Sequence, residues 1–274
     1  MKSYLKTKDY SISQEEFQLL YDEELDMLVT SPQPKNLEKY YESEVYISHT
    51  DSKKTLVDKL YQIVKSYSLK KKVSLLNSFN SSEKTLLDIG AGTGDFLATA
   101  KRQDWTVEGV EPNASARGKA KDKGVVLFSD LKEVSNNKFD VITLWHVLEH
   151  LPNLDKQIET IVSLLKENGT LVIAVPNFKS YDANYYGNFW AAFDVPRHLW
   201  HFSKNSIERI FATHKMQLVK TKPMLFDSFY VSLLSEKYKS GKQNIIKAFR
   251  TGLKSNIRGN RSKEYSSHVY ILKK

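Results

Sequence analysis

An apolar strand end running directly into three alternating glycines, L-L-D-I-G-A-G-T-G-D-F over 86–96, constrains this chain more than any other stretch. A backbone that turns sharply and lies against a ligand needs residues without side chains, so Gly90, Gly92 and Gly94 mark a contact surface. Asp88, just before the turn, offers a carboxylate to a bound amine or hydroxyl. A dinucleotide loop of the form G-x-G-x-x-G would put its third glycine at position 95. Asp95 stands there instead, which disfavours nicotinamide cofactors.

Further along, W-T-V-E-G-V-E-P reads as a second strand ending at Glu111, 17 residues beyond Gly94. A parallel nucleotide-binding sheet places its acceptor for two ribose hydroxyls at such a tip. V-V-L-F-S-D gives a third strand ending at Asp130, and F-D-V-I-T-L-W-H a fourth ending near Trp145. Ile158, Ile161, Val162 and Leu165 repeat at helical spacing, and E-N-G predicts that this helix stops on a left-handed Gly169. T-L-V-I-A-V, ending at Pro176, is the fifth strand. Strands alternating with helices predict an α/β fold whose parallel sheet is wound on both faces, with ligands at the carboxyl ends of the strands.

G-x-G-x-G after an acidic residue resembles the first motif of the class I S-adenosylmethionine-dependent methyltransferases, and the resemblance runs from Glu83 to about Lys222 plus the final strand, S-S-H-V-Y-I-L. It implies a mostly parallel, seven-stranded Rossmann-like sheet. The implied cofactor is S-adenosyl-L-methionine, with S-adenosyl-L-homocysteine as product. Asp88, Gly90, Ala91, Gly92, Thr93 and Gly94 would cradle its methionine part, Glu111 and Pro112 its ribose, and Asp130 with Leu131 its adenine. Trp145 and His146 would lie near the sulfonium. W-H-V-L-E-H-L, 145–151, is similar to the stretch after the fourth strand in small-molecule and glycan-linked members.

Residues 1–82 are expected to form an amino-terminal helical cap, with 83–274 as the catalytic domain. A helical run over 52–79, with Leu56, Leu60, Ile63, Val64 and Tyr67 on one face, suits packing on a core. Y-Y-x-S-x-x-Y-I-S-H looks like a recurring element of one bacterial branch, which makes Tyr46 and His49 lid candidates over the cofactor. Some relatives begin with a cysteine-rich zinc knot. This chain has no cysteine, so disulfides and thiolate zinc sites are excluded, and no metal is assigned.

Eight of the 22 residues from Tyr181 to Phe202 are aromatic, and they fall where this fold puts an acceptor pocket. Residues 181–206 are accordingly read as an acceptor lid, with Tyr185, Tyr186, Trp190, Asp194, Arg197 and His198 as substrate contacts. D-x-P-R-H-L-x-H-F resembles the same element in envelope-associated methyltransferases. If the acceptor is a hydroxyl, His198, His201 and His146 are the candidate bases, because imidazole titrates near neutrality. His150 is read as a structural hydrogen-bonding group.

Residues 228–263 form a basic helical insertion before the last strand. Nine cations and no acid lie between Lys237 and Lys263, equal to the whole net charge of +9, with Ile245, Ile246, Phe249 and Leu253 as an apolar stripe opposite them. Nucleic acid is the alternative partner, opposed by L-W-H-V standing where amino-directed enzymes carry an N-P-P-Y tetrapeptide. No apolar signal core and no membrane-length run appear, so a cytoplasmic enzyme is expected. The resulting reading is O-methylation of a small or glycan-linked acceptor. The alternatives are a nucleic-acid methyltransferase and a non-catalytic cofactor-binding scaffold, and the oligomeric state is left open.

Overall fold

A computed structural model describes residues 1–41, 56–79, 81, 83–134 and 138–274. Two compact units make up the chain, both discontinuous in sequence: Met1–Ser43, His146–Ile158 and Ile173–Ile271 form one, and Glu44–Trp145, Glu159–Val172 and Leu272–Lys274 the other.

The glycine-loop unit contains strands β4 (Thr85–Ile89), β5 (Thr106–Val110), β6 (Phe139–Trp145) and the start of β7 (Leu165–Pro176), in the order β5-β4-β6-β7. β4 pairs in parallel with both β5 and β6. Leu86, Leu87 and Ile89 are all buried, as a strand covered on both faces requires. Helices α1 (Leu56–Leu76), α2 (Asp95–Lys101) and α3 (Ala114–Lys121) belong to this unit, and α4 (Leu154–Ser163) precedes β7.

Two expectations change here. Among the described residues, 125–130, expected as a strand, pair through one parallel bridge between Val110 and Phe128, and the sheet there has six strands and not seven. The chain turns away because Asp130 caps the next helical turn, accepting from the Lys132 amide at 2.8 Å. Gly169 lies inside β7 and is not a left-handed helix end. A Cβ there would sit 2.9 Å from the Lys166 carbonyl oxygen and from Leu165 Cδ2, so close approach explains the glycine.

In the other unit, β1 (Lys2–Lys8), β2 (Glu16–Asp22), β3 (Met27–Ser31) and β8 (Trp200–His201) form an antiparallel sheet in that order. Among its described residues the amino-terminal region is therefore helical in α1 and in a single turn at Glu38–Tyr40, and β-stranded before them. β2 alternates buried Phe17 and Leu19 with more exposed neighbours, the period-2 pattern of a half-covered strand. The end of β7 continues as β7-β10-β9, with β9 at Gln217–Pro223 and β10 at Ser267–Lys273. Helices α5 (Tyr181–Tyr186), α6 (Lys204–Thr213), α7 (Asp227–Ser240) and α8 (Ile245–Ser262) complete the unit.

α7 and α8 approach closely because small residues line the contact. Ala248, Thr251, Gly252, Ser255 and Gly259 are the buried face of α8, and a Cβ on Gly252 would meet Phe229 at 2.8 Å. The apolar stripe at Ile245, Ile246, Phe249 and Leu253 is exposed, together with Ile257. Among the described residues no helix is long and apolar enough to cross a membrane.

Candidate functional site

The glycine loop is built from backbone hydrogen bonds and one carboxylate. Gly90 and Ala91 both donate to the Val110 carbonyl, at 2.8 and 2.9 Å, and Gly94 donates back to Ala91. Gly90, Gly92 and Gly94 all have positive φ, which no side-chain-bearing residue adopts cheaply. Their surroundings differ. A Cβ at Gly94 would lie 2.8 Å from Ala120 Cβ, whereas one at Gly92 would meet nothing within 4 Å. Gly94 serves packing, and Gly92 faces open space that a ligand can occupy.

Glu111 stands at the tip of β5 and fastens this loop. Its Oε2 accepts from the Gly92 amide and its Oε1 from the Asn113 amide, each at 2.9 Å. A carboxylate has about four lone-pair directions, so each oxygen keeps capacity for one more donor, the requirement for gripping a diol. Asp95 follows the loop, bridged by Lys65 and Lys123 at 2.7 Å each, and receives the Thr93 hydroxyl at 3.1 Å. Pro112 and Asp130 are exposed and Leu131 is half-buried.

Asp88 is buried and accepts from the Thr143 hydroxyl at 2.5 Å. Burial pushes its carboxyl up to about 7, against the lowering effect of Thr143 and of the Lys72 charge. Trp145, at the end of β6, packs edge-on against Phe96, with Lys72 Nζ 4.0 Å above its ring. Its indole Nε1 is buried and has no partner among the described residues, a donor of the kind a ligand completes. An open loop face, a half-used carboxylate and an orphaned indole N–H together fit an adenosyl-type ligand.

In the unit formed with the amino-terminal sheet, the expected catalytic and acceptor residues separate by environment. His146 has φ 58° and ion-pairs with Asp227 at 3.1 Å and Glu149 at 3.4 Å. Burial would lower its pKa, but the two carboxylates raise it to about 10, so it is a cation at neutrality and cannot serve as a base. His201 is enclosed, with Nε2 3.0 Å from Thr30 Oγ1, and burial keeps its pKa well below the usual value. His198 is also buried, and its Nδ1 donates to the Ala192 carbonyl at 2.9 Å. His150 Nδ1 meets the Arg197 carbonyl at 3.0 Å and Tyr41 Oη at 2.9 Å.

The aromatic strip largely packs inward. Tyr186, Trp190 and Phe193 belong to one core cluster with Phe17, Leu19 and Leu28, and the Trp190 indole donates to buried Asp182 at 2.8 Å. Tyr185 is exposed beside Tyr181. Arg197, expected as a handle for the acceptor, is instead an internal tie. Its guanidinium reaches Asp194 at 2.6 Å, Asp9 at 3.0 Å and the Tyr40 carbonyl at 3.1 Å, and the side chain is 1% exposed. Tyr46 and His49 lie outside the described residues.

Sequence reasoning missed Lys72 over Trp145, Asp227 on His146, and the grouping of Glu149 with His150 and His198. The E-H pair after β6 was the one signal that could have pointed to the last.

A family model described as a methyltransferase domain matches residues 61–221. The chain is 32% identical over 112 residues to a ubiquinone biosynthesis O-methyltransferase of Histophilus somni, covering 35% of this chain and 46% of that protein. A Rickettsia felis protein of the same name is 27% identical over 157 residues, covering 54% and 64%. The chain spans about half the length of the first of these relatives. Among solved structures, a magnesium protoporphyrin IX methyltransferase from Synechocystis with bound SAH superposes with a TM-score of 0.57 at 15% identity, covering 86% of this chain and 96% of that one. A SAM-dependent methyltransferase from Archaeoglobus fulgidus gives 0.52 at 20% identity, with coverages of 78% and 94%. At these identities the likeness is one of fold.

Proposed function

This chain belongs to the methyltransferase-domain family, and from that premise we propose that it moves a methyl group from S-adenosylmethionine to an oxygen of a small or glycan-linked acceptor. When bound, that cofactor supplies a sulfonium-activated methyl group open to in-line attack. The observation that carries the reading is Glu111, whose oxygens each hold one backbone amide and keep one lone pair for a hydroxyl. Gly92 beside it leaves room for the ligand, and Trp145 Nε1 is a donor awaiting a partner. Asp88 offers a carboxylate to an ammonium group, which would favour its ionised form.

Oxygen is preferred as the acceptor atom because the curated relatives are named as O-methyltransferases. A hydroxyl acceptor must lose its proton. His146 is held as a cation by its two carboxylates and His201 is enclosed, which leaves His198 of the three candidate imidazoles to promote that loss. Positioning can supply much of the remaining acceleration.

Incubating the full chain with S-adenosylmethionine and a panel of phenolic and sugar acceptors tests this, with product mass and linkage as the readout. An O-methyl product supports the proposal. Failure to bind the cofactor by calorimetry overturns it, and methylation at nitrogen overturns the choice of oxygen. The nucleic-acid reading draws on the basic stretch, but Lys247 pairs with Glu236 and both Lys254 and Arg258 lie over Tyr181. Loss of nucleic-acid retardation at moderate salt when Lys247, Arg250 and Lys254 are neutralised would revive it.

A further inference from the structure

Glu149 and His150 lie nearly fifty residues before His198, yet the fold ties the two stretches together. The Leu199 amide donates to the Glu149 carbonyl at 2.8 Å, and the Trp200 indole donates to the Leu151 carbonyl at 2.8 Å. One ligand-type atom from each of Glu149, His150 and His198 lies within 4.8 Å of the other two. The two imidazole rings meet edge to face with centroids 4.5 Å apart.

Two independent features show that this cluster is not closed on itself. The Glu149 side chain is 1% exposed, and among the described residues neither of its carboxylate oxygens has a hydrogen-bond donor in good geometry. His146 Nδ1 stands 3.4 Å from its Oε1 as an ion-pair partner, and the His198 and His150 rings act on it through charge. A buried carboxylate without hydrogen bonds is costly, and a bound cation is one of the few groups that offset the cost.

The second feature is the orientation of the histidines. His150 Nδ1 faces the Arg197 carbonyl and His198 Nδ1 the Ala192 carbonyl. Carbonyls only accept, so the His198 ring proton sits on Nδ1 and its lone pair on Nε2, whereas His150 Nδ1 stands between the Arg197 carbonyl and the Tyr41 hydroxyl. Outer hydrogen bonds fix the tautomer of a metal-ligating imidazole in the same way. His150 is only half-buried, which leaves an ion a route in.

We propose that Glu149, His150 and His198 bind one divalent transition-metal ion of the zinc or iron class, with a coordination position left for an oxygen ligand. Two imidazole nitrogens and one carboxylate suit these ions, and a three-ligand set is the pattern that keeps a position open. The existence of the site is independent of the methyl-transfer reading, whereas its role rests on it. An acceptor hydroxyl entering the open position forms a metal–oxygen bond and loses its proton to water, while the ion stays divalent.

The test uses the tag-free full chain, stripped with a chelator and titrated with Zn²⁺ by calorimetry and with Co²⁺ by visible absorption, without cofactor or acceptor. One ion per chain is expected, with Co²⁺ ligand-field bands of nitrogen–oxygen ligation. Affinity should fall at least tenfold in Glu149→Gln and in His198→Ala and stay unchanged in His214→Ala, whose histidine pairs with Asp155. Circular dichroism of the ion-free variants checks that they fold. Should a variant not fold, the wild-type stoichiometry and Co²⁺ spectrum decide. Absence of stoichiometric binding, or binding equally strong in folded variants, overturns the proposal. Cofactor calorimetry on the same stripped protein separates that failure from a failure of the methyl-transfer reading.

Discussion

Glu111 holds the Gly92 amide at 2.9 Å, so the carboxylate proposed to bind the cofactor's sugar also shapes the loop proposed to lie against its methionine part. Removing it costs both. Glu111→Ala should weaken cofactor binding by about 100-fold, the scale of one to two hydrogen bonds to a charged group. Glu111→Gln keeps one acceptor oxygen and should fall between. Calorimetric titration with S-adenosylmethionine checks both, and unchanged affinity in Glu111→Ala would contradict the sugar assignment.

Gly92 and Gly94 share a left-handed backbone but differ in surroundings, which separates binding from folding. Each Ala replacement carries about 1–2 kcal/mol of backbone strain. Gly94→Ala adds a 2.8 Å clash with Ala120, so its melting temperature should drop well below that of Gly92→Ala. Gly92→Ala should remain folded and lose cofactor affinity, because its methyl group enters the space left for ligand. Melting curves and titrations on the two variants provide the comparison.

The loop and Glu111 were legible because their chemistry is local: a strand, a turn and a carboxylate at fixed spacing carry their meaning within thirty residues. Gly169 was misread because helical spacing at Ile158, Ile161, Val162 and Leu165 continues past Ser163, where the chain already enters β7. The amino-terminal strands were not legible because β1–β3 gain their closing partner through β8, far along the chain. Arg197 looked like a substrate handle because nothing nearby in sequence but Asp194 pairs with it. Its other carboxylate is Asp9, 188 residues away.

Asp88 gives a pH signature. Burial raises its pKa from 3.8 to about 7 in the folded chain, so the protonated form is favoured by folding. Its contribution to stability is complete below the unfolded value of 3.8 and is lost as pH rises through about 7. Without cofactor, Asp88→Asn should flatten the fall in melting temperature over that window. Cofactor affinity should run the opposite way, tightening through pH 7 as the carboxylate ionises to meet an ammonium group, and Asp88→Asn should remove that dependence. Melts and titrations at pH 5.5 and 8 measure both, on the order of one unit either side of the transition.

Arg197 governs stability at the other end of the pH scale. Burial alone would raise the pKa values of Asp9 and Asp194, but the guanidinium between them holds both carboxyls below their usual range. Folded values below the unfolded 3.8 mean that this contribution is present above that pH and is lost as pH falls through the folded values. Arg197→Met leaves two carboxylates without their cation and should cost about 3–5 kcal/mol at pH 7. The gap between variant and wild type should narrow as the solution is acidified below about pH 4, where protonation neutralises the orphaned carboxylates. Urea midpoints of both proteins at neutral and acid pH read this directly. A constant gap would mean that Arg197 acts through packing of its stem and not through its charge.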